Sequence, residues 1–205
     1  MLKTRKIPTF YWEYRGHTPP EMKLEGYTIS VLGQVRNPLT FAVADLPDHL
    51  PFVTAQRRFY CVNGWTMEDM WGGFRLEDLI RLAGPEAKYL RTTSIGGYED
   101  TTPLADLIAG EAMLATHMSG APLAPKRGFP IRMLIFDMYQ FKAVKSVSTL
   151  ELTDEYRPGT WQKVGYRDAS IQPYPHLDIN SGERLMPEPA VLKSVSGGQK
   201  KISLS

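Results

Sequence analysis

The chain has a single cysteine, Cys61, in the run Arg58-Phe59-Tyr60-Cys61-Val62-Asn63-Gly64-Trp65. A lone cysteine most often serves as a small buried hydrophobe. Three features of this one point towards chemistry. Arg57 and Arg58 would lower its pKa and favour the thiolate. Asn63-Gly64 predicts a turn, which would put the sulfur at a strand end rather than in mid-core. A thiolate is also a ligand for soft metals. The four histidines, His17, His49, His117 and His176, carry no local signature that would pair with it for hydrolysis or complete a zinc site.

The second feature is basic. Lys126-Arg127-Gly128-Phe129-Pro130-Ile131-Arg132 runs into the apolar segment Ile131–Phe136, so Arg132 is a charge inside a strand pattern. A buried cation is costly without a partner. Lys142 and Lys145 follow on a β-patterned stretch. Together these residues would make a compact anion site of the kind used for phosphate. A structural ion-pair network is the equal alternative. No P-loop or Gly-x-Gly-x-x-Gly signature is present.

Short elements must position these groups. Tyr27–Leu32 alternates and predicts a strand ended by Gly33. Arg57–Trp65 predicts a strand running into a loop. Leu76, Leu79, Ile80 and Ala83 have helical spacing, and Gly84-Pro85 stops the helix. Lys88–Thr93 predicts a strand, followed by the loop Gly96-Gly97-Tyr98. Thr102 and Pro103 predict a cap and first turn for a helix through Leu107. Residues 119–130 are turn-rich; Ile131–Phe136 and Val144–Leu152 predict strands. Many short strands with few short helices indicate an α+β fold with mixed sheets. One domain is expected over residues 1–185, with residues 186–205 as a loosely packed tail.

Composition limits the classes of function. The 205 residues carry 24 Lys+Arg against 22 Asp+Glu. So even a balance gives no argument for nucleic acid or a membrane surface. No stretch approaches the roughly 18 apolar residues of a membrane span. The basic start, Met1 to Pro8, has no apolar run behind it, so a cytoplasmic home is expected, or a periplasmic one had a leader been removed.

From about Arg15 to Tyr166 the chain resembles the molybdopterin-binding domain of the sulfite oxidase family. Tyr14-Arg15-Gly16-His17-Thr18-Pro19-Pro20 is similar to the family's entry segment, with the second proline one place early. Cys61 with Trp65 matches the metal-ligand segment. Gly120-Ala121-Pro122-Leu123 followed by Gly128-Phe129-Pro130-Ile131-Arg132 is similar to the family's most recognisable stretch. Val144-Lys145 matches its phosphate-side lysine, and Gly96-Gly97-Tyr98 through Pro103-Leu104 also fits. Trp161-Gln162-Lys163-Val164-Gly165-Tyr166 resembles the segment bearing the active-site tyrosine. Two departures stand out. Arg127 replaces the His or Asn of relatives, and Gly165 replaces an acidic residue.

The resemblance implies molybdopterin and molybdenum as cofactor, with Cys61 as the metal's protein ligand. It gives Arg132, Lys145 and Arg127 to the pterin phosphate, and His17 and Ser94 to further cofactor contacts. It places Arg15 and Tyr166 beside the substrate and makes Tyr98 a wall of the pocket. The implied reaction is two-electron oxygen-atom transfer on a small oxyanion or sulfur-oxide substrate. No haem-binding or immunoglobulin-like domain is recognisable, so a separate electron-transfer protein is expected and sulfite is less firmly indicated. Alternatives are a sulfoxide-type reductase on the same fold, a non-catalytic molybdopterin-binding protein, and a plain α+β domain.

Overall fold

The computed structural model describes residues 23–166 and 169–192. Two mixed sheets form its frame. Twelve strands are β1 (Thr28–Gly33), β2 (Leu39–Ala42), β3 (Val53–Cys61), β4 (Trp65–Arg75), β5 (Tyr89–Ser94), β6 (Glu99–Pro103), β7 (Met113–Met118), β8 (Ala121–Pro122), β9 (Arg132–Leu134), β10 (Val147–Thr153), β11 (His176–Asp178) and β12 (Arg184–Leu185). Three short helices interrupt them: α1 (Leu46–His49), α2 (Leu76–Ala83) and α3 (Leu104–Ala109).

The first sheet has the order β2-β1-β10-β5-β6, with β1 and β10 parallel and the other pairs antiparallel. The second is built on the β3–β4 hairpin. β4 also pairs with β7 and β11, and β7 carries β8 and β9. This is the α+β fold with mixed sheets that the sequence predicts.

α2 forms because Leu76, Leu79, Ile80 and Ala83 recur on one face, and all four are buried. Gly84 ends it at φ +65°, donating its N–H to the carbonyls of Ile80 and Arg81. Glu77 and Asp78 lie in its first turn, where carboxylates suit the helix dipole. α3 begins after Pro103 without a side-chain cap, and the Thr102 hydroxyl donates instead to Asp100 at 3.0 Å. The largest core cluster lies along the first sheet and includes Ile29, Val31, Leu90 and Leu150 with α2. A second cluster covers one face of the hairpin, where Phe59, Met67 and Trp71 meet Leu134 and Phe136.

Two predicted strands begin late. β9 is shorter than Ile131–Phe136, and β10 starts at Val147 because Ser146 stands at φ +48°, which breaks the extended run. Beyond Leu185, Pro187 is buried and the Glu188 N–H donates to the Tyr60 hydroxyl at 3.3 Å. Residues 193–205 of the expected tail lie outside the described residues.

Candidate functional site

Cys61 is the last residue of β3, facing Trp65 across the hairpin. The turn between them closes through Gly64 at φ +82°, whose N–H donates to the Cys61 carbonyl at 2.9 Å. A left-handed residue at this point is what a three-residue hairpin loop requires. The sulfur therefore sits at a strand end, partly exposed.

The neighbouring arginines do not serve it. Arg57 pairs with Glu111 at 2.6 Å, and its guanidinium lies 4.5 Å from the centre of the Phe136 ring. Arg58, on the other face of β3, pairs with Asp178 and with Glu68, the latter at 2.7 Å. Burial pushes the Cys61 thiol up to about 11, opposed by a backbone hydrogen bond from Asn63. The expectation of a thiol activated by these arginines is corrected. Only bound metal would make it a thiolate, because a coordinating thiol is deprotonated outright.

Alternation along β3 puts Arg57, Phe59 and Cys61 on one face, and Met67 faces Phe59 on β4. The basic groups gather over that face. The Arg132 guanidinium lies 6.0 Å from the centre of the Phe59 ring and 5.7 Å from that of Trp71. Arg127 Nη1 reaches Met67 Sδ at 3.9 Å. Both arginines thus lie over the strand positions two residues from Cys61 and Trp65. At about 3.3 Å per residue, that is about 7 Å of backbone from the cysteine.

Arg132 is 1% exposed. Its Nη1 donates to the Arg127 carbonyl at 2.9 Å and its Nε to the Met133 carbonyl at 3.5 Å. Among the described residues no carboxylate pairs with it. Burial, and then the charge of Arg127, pull it down to about 9. The Lys145 ammonium donates to the Lys126 carbonyl at 3.0 Å. Burial, Arg132 and Arg127, in that order, pull Lys145 down to about 6. Gly128 sets the spacing. A Cβ there would sit 2.9 Å from Arg132 Cβ and 3.2 Å from Lys145 Cβ, and its φ is +112°. Only glycine suits that place.

The Ser94 turn joins the same edge. The Ile95 N–H donates to the Ser146 carbonyl at 3.0 Å, and the Ser146 N–H to the Gly128 carbonyl at 3.3 Å. Ser94 itself is buried, and its hydroxyl accepts the Gly96 N–H at 3.0 Å.

Tyr166 packs between Phe141 and Trp161, with ring centres at 5.4 and 5.1 Å. Phe141 in turn packs on the cluster of Tyr60, Tyr139 and Ile171. Tyr98 donates its hydroxyl to the Phe141 carbonyl, and burial raises its phenol pKa. Arg15 and His17 lie outside the described residues.

Lys142 does not join the anion cradle. It is 3% exposed and its ammonium sits 2.7 Å from Asp100, itself 3% exposed. Sequence reasoning also overlooked Tyr139 and His176. The Tyr139 hydroxyl is 3.3 Å from His176 Nε2 and 3.2 Å from the Tyr174 hydroxyl, and it accepts the Gln172 N–H at 3.1 Å. Burial raises the Tyr139 phenol, and the smaller contributions include charge at Cys61. Only the tertiary pairing of Tyr60 with Tyr139 brings this group there, so no local signal could have found it.

The model of the oxidoreductase molybdopterin-binding domain matches residues 15–161. The chain belongs to that family. It is 30% identical over 156 residues to the uncharacterized oxidoreductase YuiH of Bacillus subtilis, covering 75% of this chain and 78% of that protein. Its fold is similar to that of the sulfane dehydrogenase SoxCD from Paracoccus pantotrophus, with a TM-score of 0.63 at 20% identity. That match covers 82% of this chain and 46% of the solved one, so the chain spans less than half of that larger protein. It is an oxidoreductase molybdopterin-binding domain, and its cofactor is molybdopterin with molybdenum.

The residues of the molybdopterin domain fit that group. A fully buried guanidinium with no carboxylate beside it among the described residues, next to a lysine depressed by burial and by two further cations, calls for an anion such as the pterin phosphate. The thiol on the same sheet face would supply a soft donor for the metal. No helix among the described residues is long and apolar enough to cross a membrane.

Proposed function

We propose that this molybdopterin domain catalyses two-electron oxygen-atom transfer on a small oxyanion or sulfur oxide and passes the electrons singly to a separate electron-transfer protein. With sulfite as substrate, water provides one oxygen, sulfate leaves, and two protons and two electrons are released. The observation that carries the reading is Arg132, a buried cation facing no carboxylate among the described residues and lying over the same sheet face as Cys61.

When bound, the pterin-held metal supplies the two-electron chemistry. The chain's own residues supply position and charge. Arg132, Lys145 and Arg127 would grip the phosphate through charge-assisted hydrogen bonds of about 1.5–3 kcal/mol each. Cys61 would give the metal its protein sulfur. His17 and Ser94 would complete the cofactor's contacts, Ser94 through the turn it organises. Arg15 would draw the anion in. Tyr166, held by two aromatic rings, would donate its hydroxyl hydrogen to a substrate oxygen where charge develops.

The test assays one molybdenum-loaded preparation for sulfite oxidation with ferricyanide and for sulfoxide reduction with a viologen dye. Sulfite-dependent turnover that Cys61→Ser abolishes while pterin stays bound is the expected result. The Tyr166 and Arg15-to-His17 segments favour the oxidase, but Gly165, in place of the family's acidic residue, weakens that preference and leaves a sulfoxide-type reductase as second reading. Turnover only with sulfoxide would select it. Turnover in neither direction would leave a cofactor-binding protein, and full activity of Cys61→Ser would refute the ligand assignment.

A further inference from the structure

The one fully buried ion pair in the described residues lies away from the anion cradle, and it joins the two segments that wall Tyr166. Lys142 Nζ sits 2.7 Å from Asp100 Oδ2 and donates to the Thr101 carbonyl at 2.7 Å, while the Thr102 hydroxyl bonds the same Asp100 oxygen at 3.0 Å. Every polar partner belongs to β6 or to the turn at 140–142. A buried pair of this kind adds little stability over apolar residues of equal size, and its best-attested use is to fix a register.

Both aromatic walls of Tyr166 rest on it. Phe141, next to Lys142, packs its ring on Tyr166 and has its carbonyl held by Tyr98. On the other side, the 159–166 segment lies directly on Asp100. A Cβ on Gly159 would collide with the Asp100 carboxylate and sit 2.9 Å from its Cα. Thr160 and Glu99 bond reciprocally, the Thr160 N–H to the Glu99 carbonyl at 2.8 Å and the Glu99 N–H to Thr160 Oγ1 at 3.0 Å. Lys163 pairs with the Glu99 side chain, and the segment ends where the Tyr166 N–H meets the Trp161 carbonyl at 3.1 Å.

We propose that the Asp100–Lys142 pair, with Gly159 seated against it, is a positioning device that sets the Tyr166 ring between Phe141 and Trp161. The inference rests on the reading of Tyr166 as the substrate-side tyrosine. Asp100 and Lys142 are both buried with their polar partners in β6 and the 140–142 turn, and act through the two walls. Misplacing a reacting group by about 1 Å can cost up to about a hundredfold in rate.

Two variants of the holoenzyme test it, each alone and combined with Tyr166→Phe. Asp100→Asn with Lys142→Met removes both charges together and leaves no lone buried ion. Gly159→Ala keeps the pair and lifts the segment off it. Hydrogen exchange is the first readout, since the amides of Thr160, Lys163, Val164, Gly165 and Tyr166 are all bonded within this segment or to β6. Each variant should speed exchange in 159–166 at least tenfold and leave β4 and β7 unchanged, with pterin and molybdenum content intact. Unchanged exchange in 159–166 would overturn the proposal.

Turnover, in whichever direction the wild type shows, is the second readout. Each variant should lower kcat about tenfold at nearly constant KM, and by less than twofold once Tyr166 is already phenylalanine. Full additivity with Tyr166→Phe would show a general structural role and refute positioning. Should Tyr166→Phe alone leave turnover unchanged, the reading of that tyrosine fails, and the exchange data still decide whether the pair holds the segment.

Discussion

Two cations are buried among the described residues, and they are met differently. Lys142, 3% exposed, has the Asp100 carboxylate at 2.7 Å. Arg132, 1% exposed, has two backbone carbonyls, further positive charge from Arg127, and no carboxylate among the described residues. The fold supplies the counter-charge in the first case and withholds it in the second. A charge taken out of water needs compensation. At Lys142 that compensation is structural. At Arg132 it would come from a bound anion, which in the proposed reading is the molybdopterin phosphate. A buried cation therefore reports a ligand only when the protein has left it short of a partner.

The largest effect that could break this contrast is on folding. Lys142→Met strands the Asp100 carboxylate, and urea unfolding should show a loss of about 3–5 kcal/mol. Next comes cofactor retention. Arg132→Ala should purify with pterin bound about ten- to a hundredfold more weakly, the equivalent of one charge-assisted bond, read as pterin and molybdenum per chain after dialysis. Retention at wild-type levels would remove Arg132 from the cradle.

The smallest effect is one of pH, and the two regions should differ in sign. In cofactor-free protein Lys145 stands at about 6, below its ordinary 10.5, so the unfolded chain holds more protons between those values. Stability from this group therefore rises with pH from about 6 to 10.5. Asp100 is raised from 3.8 to about 6, chiefly by burial. Its contribution is full below 3.8 and is lost as pH rises through about 6. Lys145→Met should flatten the upper window alone. Binding of inorganic phosphate at pH 7 should take up protons in the wild type, seen by calorimetry in buffers of different ionisation heat, and Lys145→Met should abolish that uptake.

Much of the frame was legible in the chain. α2 could be read because its four buried residues recur at helical spacing, and the position of Cys61 because Asn63-Gly64 forces a turn. β4 was not legible. Its run carries Glu68, Asp69, Gly72 and Gly73, which spoil alternation, yet a glycine at 73 is required where β4 passes against the Leu114 carbonyl. Arg132 stood out as a charge within an apolar strand. From sequence Lys142 reads as part of the same anion site because it follows on a β-patterned stretch, and only the contact of β6 with the 140–142 turn shows that Asp100 claims it. Tyr139 and His176 gave no local sign, since their meeting depends on contacts between distant segments.

The most direct test is the stability of cofactor-free Arg132→Met beside wild type, with and without inorganic phosphate. Removing a buried guanidinium that no carboxylate balances should leave the bare protein as stable as before, or more so, and should erase the stabilisation that phosphate gives the wild type. A loss of several kcal/mol in phosphate-free buffer, like that expected for Lys142→Met, would mean that the fold itself balances this charge, and would contradict the account.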